Sequence, residues 1–405
     1  MITLVQQMKI AIFSDNFYPE ISGISDSIIS LAKELAGCGH EIRFYVPRYP
    51  AKCHAKVGLK RGEINLGKNI SIKRLFSVSY PSGTGQGRAV IPNPFVFFNI
   101  RKLNPDIIHT QLFFGAGLDA LWLGKILKKP VIGTNHTAVT EFVKYSPVKS
   151  KYVESLMLRY VNWYYGKCDF VTAPSRSVVD EMKFYGFNKE SHVISNPVDI
   201  RTFSPLPDKN RLRKKFGFGN NIIIHAGRLS PERKIDVIIR ALPLVKKEFP
   251  KVELAIAGNG TAREELESLA AGLGVGSSVK FMGFIEKPVL AEAYNAAGIF
   301  VITSTSDTQS MVMMQAMASG LPIIGVKARA LPEYINKNNG IPIEPDNPEA
   351  LAKKIIFLLK NPEKMKMLGE GARKFVVNFG SESISGTWEK IYEKAIKEYN
   401  LRNTK

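Results

Sequence analysis

Two arginines in the second half of the chain are spaced to hold a phosphate-containing ligand. Arg228 follows an apolar run that ends at Ala226, and Arg233 lies a short loop further on. Gly227 lets a ligand approach the backbone, and Pro231 stands where a helix can begin. Guanidinium groups remain charged and bind phosphate oxygens in pairs. The motif therefore predicts a pyrophosphate site whose arginines stabilise the charge of a departing nucleotide. The alternative is two surface arginines at a helix start.

A second polar segment follows another apolar run, residues 299–303. Asp307 lies in the loop, Ser310 stands near a helix start, and Gln315 lies inside the helix. Helix starts present free N–H groups that bind anions and hydroxyls. The segment is therefore predicted to face the same site as the arginines, whereas its methionines are interpreted as core packing.

Three weaker candidates also stand at the ends of apolar runs. Gly258, Asn259 and Gly260 form a tight turn, a pattern that is more often only a turn. His136 follows a predicted strand and is interpreted as functional, with a structural histidine as the alternative. His109 stands at another strand end and is a weaker candidate for the acceptor side.

Parallel strands would place these residues together. Short apolar runs alternate with helix-period segments in both halves, which is typical of parallel sheets covered on both faces. Ligands of such sheets bind outside the carboxyl ends of the strands. The sequence predicts an α/β protein with two Rossmann-like domains, residues 1–203 and 204–380, whose sheets face a central cleft. A C-terminal helix, residues 381–405, is expected to return to the first domain.

The individual elements can be predicted with bounds. The first helix is expected over residues 23–36, and residues 348–401 are expected to be almost wholly helical. Strands are predicted at residues 9–14, to residue 46, and at 72–76, 107–110, 131–134, 170–173, 192–195, 222–226, 254–258, 279–283, 299–303, 322–326 and 341–343.

Composition bounds the class of protein. The chain has 405 residues, 45% of them hydrophobic, which suits two globular domains. No apolar run approaches the ~20 residues of a membrane-spanning helix. Three cysteines without metal spacing favour a reducing cytoplasm. The net charge of +20 suits an anionic partner, but it is spread evenly and no nucleic-acid recognition motif accompanies it, so nucleic acid is not expected as a partner.

The motifs together resemble a known family. Segments 227–234, 258–260 and 307–322, with Ser22-Gly23 and Gly39-His40-Glu41, are similar to the retaining GT-B glycosyltransferases. That family includes glycogen synthases, phosphatidylinositol mannosyltransferases and diacylglycerol glucosyltransferases. The resemblance covers nearly the whole chain in the right order. It implies the GT-B fold and transfer of a hexose from a UDP- or GDP-linked sugar, with UDP-glucose as one such donor.

The resemblance also implies roles for individual residues. Arg228 and Arg233 hold the donor diphosphate, with Arg233 in place of the usual lysine. Asp307 binds the donor sugar, and Gln315 binds the ribose where the family has glutamate. His136 reaches the donor sugar or the reacting centre. The remaining donor-binding residues are Gly23, Gly227, Gly258, Asn259, Gln309, Ser310, Met311 and Val312.

The expected mechanism needs no metal and no other cofactor. The sequence has no Asp-any-Asp motif at a strand end, so the arginines and helix N-termini should neutralise the phosphates. No side chain stands out as a covalent nucleophile. The resemblance implies retention of the anomeric configuration, with the departing phosphate helping to remove the acceptor proton.

The acceptor is expected to bind the first domain through its variable parts, residues 50–100 and 138–166. The second part interleaves aromatic and basic residues, among them the acceptor-side candidate Tyr145. Such a helix suits an anionic membrane surface, and a buried amphipathic helix with snorkelling lysines is the alternative. A lipid acceptor such as diacylglycerol or a phosphoinositide-type lipid is therefore expected, with the enzyme cytoplasmic and peripheral on the inner face of the membrane.

Two other functions fit the same residues. One is transfer to a soluble sugar, sugar phosphate or glycan. The other is binding of a nucleotide sugar without turnover, which Gln315 suggests because it lacks the family's second charge. The nucleobase, the hexose and the oligomeric state are left open by the sequence.

Overall fold

The computed structural model describes residues 7–20, 22–55, 63–80, 87–137, 140 and 150–403, which fall into two compact units. Unit 1 comprises Met1–Pro197 and Ser381–Lys405, and unit 2 comprises Val198–Gly380. The first boundary therefore lies before residue 198 and not after residue 203. Val198 pairs with Gly380, and Phe203 is buried in the core of unit 2, which draws residues 198–203 into that unit.

Unit 1 is built on a parallel sheet. Its strands are β1 (Lys9–Phe13), β2 (Glu41–Pro47), β3 (Ile70–Leu75), β4 (Ser77–Ser79), β5 (Arg88–Val90), β6 (Ile107–Thr110), β7 (Val131–Thr134), β8 (Phe170–Ala173) and β9 (His192–Val193). Among the described residues the sheet order is β3-β2-β1-β6-β7-β8-β9, while β4 and β5 form a separate antiparallel pair. The central strands are buried on both faces, which explains why they are mainly apolar.

Helices cover the unit 1 sheet and connect its strands. They are α1 (Gly23–Gly37), α2 (Ala51–Ala55), α3 (Val96–Leu103), α4 (Gly115–Leu127), α5 (Lys151–Lys167) and α6 (Arg176–Phe184). Ser22 caps α1, because its hydroxyl accepts a hydrogen bond from the backbone N–H of Ser25 at 3.1 Å. Gly23 is therefore the first residue of that helix.

Unit 2 contains a second parallel sheet. Its strands are β10 (Asn221–Ala226), β11 (Val252–Ala257), β12 (Val279–Gly283), β13 (Ile299–Ile302), β14 (Ile323–Val326) and β15 (Gly340–Ile343). Their order is β12-β11-β10-β13-β14-β15, so the ends of β11, β10 and β13 are neighbours. The strands are apolar because helices pack on both faces.

The helices complete both units. Those of unit 2 are α7 (Lys209–Phe216), α8 (Ile235–Glu248), α9 (Arg263–Gly272), α10 (Lys287–Ala296), α11 (Met311–Ala318), α12 (Leu331–Tyr334), α13 (Pro348–Lys360) and α14 (Pro362–Val376), with short 3₁₀ turns at Pro231–Arg233, Gly276–Ser278 and Val377–Phe379. The last helix, α15 (Ser381–Asn403), belongs to unit 1. Across the described residues, no helix combines the length and the apolar sequence that crossing a membrane requires.

The predicted strands match the observed ones closely. The observed bounds of β6, β7, β8 and β12 are those predicted. For the other predicted strands, the bounds differ from the observed ones by at most two residues. The β4–β5 pair was not predicted, because three-residue strands are too short to show a period in the sequence.

A buried chain of hydrogen bonds attaches α15 to the unit 1 sheet. The hydroxyl of Tyr392 contacts His109 Nδ1 at 2.8 Å, and His109 Nε2 contacts Thr134 Oγ1 at 2.7 Å. Thr134 Oγ1 in turn contacts Thr172 Oγ1 at 2.7 Å, so the chain crosses β6, β7 and β8. Burial lowers the pKa of His109 to about 3, which keeps the ring neutral. Each member therefore satisfies the polar atoms of the next.

Tyr392→Phe tests this chain. The substitution leaves His109 Nδ1 buried without a partner, so we expect the free energy of unfolding to fall by about 1–3 kcal/mol. Thermal unfolding followed by circular dichroism measures the change. Tyr399→Phe, on the same helix but only partly buried, is the matched control and should alter stability by less than about 0.5 kcal/mol. Equal effects of the two substitutions would contradict the assigned role.

Candidate functional site

The candidate site lies at the carboxyl edge of the unit 2 sheet. Three loops begin there, after β10, β11 and β13, and these strands are neighbours in the sheet. The loops carry Arg228 and Arg233, Gly258 and Asn259, and Asp307. The structure therefore brings the main sequence-predicted donor residues of the second half to one edge, where ligands of parallel sheets bind.

Two glycines let the first two loops pack against each other. Gly227 and Gly258 have φ angles of +145° and +142°, which side chains rarely allow. A Cβ atom on Gly258 would lie 1.8 Å from the carbonyl oxygen of Gly227. The loops are also joined by a hydrogen bond of 3.0 Å from Leu229 N to Asn259 O. The glycines thus have a packing role that is independent of any ligand.

Arg228 extends toward solvent beside an acidic residue. Its side chain is 42% exposed, and its Nη2 lies 3.4 Å from Glu232 Oε1. The same carboxylate oxygen accepts a hydrogen bond of 2.6 Å from Ser230 Oγ. Glu232 was not identified from the sequence. The only available signal was its position next to Arg233. The long distance and the exposure make this a weak ion pair that an incoming anion can replace.

Arg233 is more firmly held. Its Nη1 lies 2.6 Å from Asp307 Oδ2 and 3.4 Å from Ser304 Oγ, so the side chain joins the turn after β10 to the loop after β13. Thr303 Oγ1 adds a hydrogen bond of 3.1 Å to the carbonyl of Arg233. The predicted contact of Asp307 with a donor sugar stays a prediction, and the structure shows that its carboxylate positions Arg233.

The loop after β13 leads into α11 with several buried polar groups. Ser310 precedes the helix, and its Oγ is buried with no hydrogen-bond partner in unit 2, which the structure describes throughout. Met311 and Val312 form the first turn, where N–H groups lack helical partners. Gln309 and Gln315 are both buried. The arrangement can donate hydrogen bonds to a ligand from backbone and side chains together.

A buried histidine in β10 was missed by the sequence analysis. His225 Nδ1 lies 2.9 Å from the carbonyl oxygen of Val301, and the ring is 1% exposed. Burial lowers the pKa of His225 to about 4. Its place inside an apolar run was the available signal, because a polar residue in a doubly covered strand needs a reason.

In unit 1, His136 also stands at a strand end. It follows β7 and is 7% exposed, and its Nε2 contacts Gln111 Oε1 at 2.7 Å. Burial lowers the pKa of His136 to about 4, so the ring is neutral at neutral pH. Its predicted contact with a donor sugar stays a prediction.

The other unit 1 candidates have different outcomes. Both ring nitrogens of His109 contact side chains of unit 1, so no polar atom of that ring is left for an acceptor, and we correct its assignment to a structural one. Gly23 begins α1, and its predicted contact with donor phosphates stays a prediction. Tyr145 lies outside the described residues.

Asp15 is a buried acid that follows β1. Its carboxylate accepts hydrogen bonds from the backbone N–H groups of Ala116 at 2.8 Å and Gly117 at 3.4 Å, at the start of α4. Burial nevertheless raises the pKa of Asp15 to about 6, and the backbone hydrogen bonds only partly oppose this effect. Asp15 was not identified from the sequence.

Metal ligation requires several acidic, histidine or cysteine side chains together. Within the described ranges, no three such side chains converge as metal ligands would. Arg228 and Arg233 both contribute positive charge at the unit 2 edge.

Comparison with known proteins identifies the class that this fold and site define. A family model described as "Glycosyl transferases group 1" matches residues 208–375, and one described as "Glycosyltransferase Family 4" matches residues 21–202. The alpha-monoglucosyldiacylglycerol synthase of Streptococcus pneumoniae is 30% identical over 324 residues, which are 78% of this chain and 70% of that protein. The chain therefore belongs to this family of glycosyltransferases, as the sequence motifs predicted.

Two further relatives extend over nearly the whole chain. The alpha-monoglucosyldiacylglycerol synthase of Acholeplasma laidlawii is 24% identical over 411 residues, covering 98% of this chain and 100% of that protein. The structure of Anabaena HepE in complex with UDP superposes with a TM-score of 0.76 at 20% identity, covering 96% of this chain and 100% of that chain. The predicted GT-B fold is thereby confirmed.

Asp15→Asn should change how the free energy of unfolding depends on pH, because it removes the buried carboxyl group. Because the folded-state pKa of about 6 lies above the ordinary 3.8, protonation favours the folded state, and this contribution is lost as pH rises through about 6. The stability of the wild-type protein relative to the variant should therefore fall by up to about 3 kcal/mol between about pH 4 and about pH 7.5. Urea unfolding of both proteins at each pH measures the difference, and a difference that does not change with pH would contradict the burial argument.

Proposed function

We propose that this glycosyltransferase moves a hexose from a nucleotide-diphosphate sugar to a membrane lipid. The observation that carries the proposal is the arrangement of Arg228, Arg233 and Asp307 at the carboxyl edge of the unit 2 sheet. Two relatives support the lipid acceptor, because both are alpha-monoglucosyldiacylglycerol synthases. UDP-glucose is the first donor to test, with GDP-mannose as the alternative.

Unit 2 would bind the donor through groups of increasing rigidity. Arg228 is exposed and exchanges its contact with Glu232 for the diphosphate. Arg233 is already positioned by Asp307, so little reorganisation is needed when the charge of the leaving group develops. The N–H groups at the start of α11 and the amide of Gln315 would bind the sugar and the ribose.

The resemblance to retaining GT-B glycosyltransferases implies the chemical step that we propose. The bond between the anomeric carbon and the phosphate oxygen breaks while the acceptor oxygen attacks from the same face, so the anomeric configuration is retained. The acceptor proton passes to the departing diphosphate, which needs no further base. The arginines and the α11 N-terminus neutralise the diphosphate, so the proposed reaction is independent of a metal ion.

The exposed face of α5 supports a membrane acceptor. Tyr152, Leu156 and Trp163 are 76%, 56% and 49% exposed, and Arg159 lies between them on the same face of the helix. Large apolar side chains and a cation on one exposed face, with Val161 and its neighbours buried on the opposite face, suit an interface between water and lipid. The purely buried amphipathic helix does not account for this exposed stripe.

A groove in unit 1 continues this apolar surface. It has a volume of about 790 Å³ and includes Trp122 and Trp163 in its wall, together with Lys125, Lys129 and Lys167. Indole rings and lysines on one surface favour contact with a membrane at the depth of the lipid headgroups. We therefore propose peripheral attachment of unit 1 to an anionic membrane.

Arg228→Ala tests the donor site. Loss of this cation should reduce transfer from UDP-glucose to diacylglycerol in mixed vesicles at least about hundredfold, because charge stabilisation in the transition state is lost. Transfer is measured with radiolabelled donor in the presence of EDTA, and NMR of the product reports the anomeric configuration.

The matched control is Arg240→Ala, which removes an exposed arginine of α8 that contacts only Asp236 among the ion pairs of unit 2. It should retain transfer. Transfer by Arg228→Ala within about twofold of the wild-type rate would refute the donor site. Donor binding without transfer to any acceptor would instead indicate a nucleotide-sugar-binding protein, and transfer only to soluble sugars would overturn the lipid acceptor.

Vesicle binding tests the α5 surface. The wild-type protein should sediment with vesicles that contain phosphatidylglycerol and be released by high salt, since the attraction is partly electrostatic. Arg159→Glu should weaken this binding severalfold, whereas Lys353→Glu, the same charge change on an exposed position of α13, should not. Binding that ignores vesicle charge, or equal effects of both substitutions, would contradict a role for α5.

A further inference from the structure

His225 places a polar ring where the rest of the strand is apolar. The neighbouring residues Ile222, Ile223 and Ile224 of β10 are fully buried, and the histidine is 1% exposed. Burying a polar ring lowers stability unless its nitrogens have partners. The partners of the two nitrogens therefore indicate what the residue does.

One nitrogen is paired within the protein. The Nδ1 atom lies 2.9 Å from the carbonyl oxygen of Val301, which can only accept, so Nδ1 carries the proton. Because burial keeps the ring neutral, Nε2 has a lone pair and acts as an acceptor. Unit 2 is described from residue 198 to residue 380, and within it no hydrogen-bond donor contacts Nε2.

The Nε2 atom faces the candidate donor site. A Cβ atom built on Gly227 would lie 3.7 Å from it, so the glycine leaves this nitrogen open on the side where the arginine loop begins. The charges of Arg233 and Asp307 both influence the pKa of the ring, so their ion pair lies within electrostatic range of it. A buried acceptor without a partner thus adjoins Gly227, the first residue of the loop that carries both arginines.

We infer that His225 is a specificity-determining residue whose Nε2 accepts a hydrogen bond from a hydroxyl of the transferred sugar. The diphosphate of a nucleotide sugar carries no proton at neutral pH, so it cannot donate to a neutral imidazole, whereas hydroxyls of the hexose and of the ribose can. Because the proposed function assigns the ribose to Gln315, we assign the contact at Nε2 to the hexose. The inference rests on the proposed function, because it requires that unit 2 binds a nucleotide sugar.

The consequence is selection among sugars. A donor that places a hydroxyl at Nε2 satisfies the buried acceptor, and one that lacks this hydroxyl leaves it unpaired. Sites that bind a hydroxyl in this way reject analogues without it more strongly than apolar pockets do. In the inferred role the residue contacts the hexose, so its loss should weaken binding of the nucleotide sugar and leave binding of the free nucleotide unchanged.

Two variants separate this role from a structural one. In His225→Asn the side-chain amide takes the position of Nδ1 and keeps a donor for Val301, but the acceptor at Nε2 is lost. In His225→Gln the amide extends to the position of Nε2 and keeps an acceptor there. Isothermal titration calorimetry with UDP and with UDP-glucose, and in parallel with GDP and GDP-mannose, measures the effect on each part of the donor.

We expect His225→Asn to bind the free nucleotide as the wild-type protein does and the nucleotide sugar about three- to tenfold more weakly, as for one lost hydrogen bond. His225→Gln should recover part of the loss. A monodeoxy sugar that lacks the contacted hydroxyl should bind the wild-type protein and His225→Asn equally.

Other results would overturn the inference. Equal weakening toward nucleotide and nucleotide sugar would place the contact on the ribose or show a folding defect. Unchanged binding of both would mean that only water occupies Nε2. A wild-type protein that binds neither UDP nor GDP, nor their sugars, would instead refute the proposed function itself.

Discussion

Arg233 and Asp307 approach to 2.6 Å at the edge of the unit 2 sheet, and the candidate site depends on this ion pair. Neither residue belongs to a strand, and one lies in the turn after β10 while the other lies in the loop after β13. A partly buried charge without its partner is strongly unfavourable, so each residue holds the loop of the other in place. The arginine is consequently positioned before a ligand arrives, as the proposed stabilisation of a leaving diphosphate requires.

The fold of unit 2 places the polar groups of this ion pair in loops at the carboxyl ends of β10 and β13. The central strands of each sheet are buried on both faces, so they are mainly apolar and their few polar side chains need partners. Gly227 and Gly258 let two loops pack closely at that edge. The α5 helix of unit 1 shows a different arrangement, because apolar and basic side chains lie on its exposed face. This arrangement fits the lipid environment that we propose for it.

Three buried histidines show how tertiary contacts decide the role of a residue type. His109 has protein partners for both nitrogens and connects α15 to the sheet. His136 contacts Gln111 at a strand end, and His225 has one nitrogen paired and one facing the candidate donor site. All three rings have a lowered pKa because of burial. The three rings therefore differ in the partners of their nitrogens and not in their ionisation.

The sequence by itself determined the class of fold, the positions of the strands in both sheets, and the segments that carry Arg228, Arg233 and Asp307. It could do so because doubly covered parallel strands are continuous apolar runs, and ligand-binding residues follow them directly. Only the tertiary structure decided that Glu232 accompanies Arg228, that His109 contacts Tyr392, and that His225 retains an open nitrogen. Most such contacts join residues far apart in the chain, and local sequence patterns do not specify which distant side chain reaches a given atom.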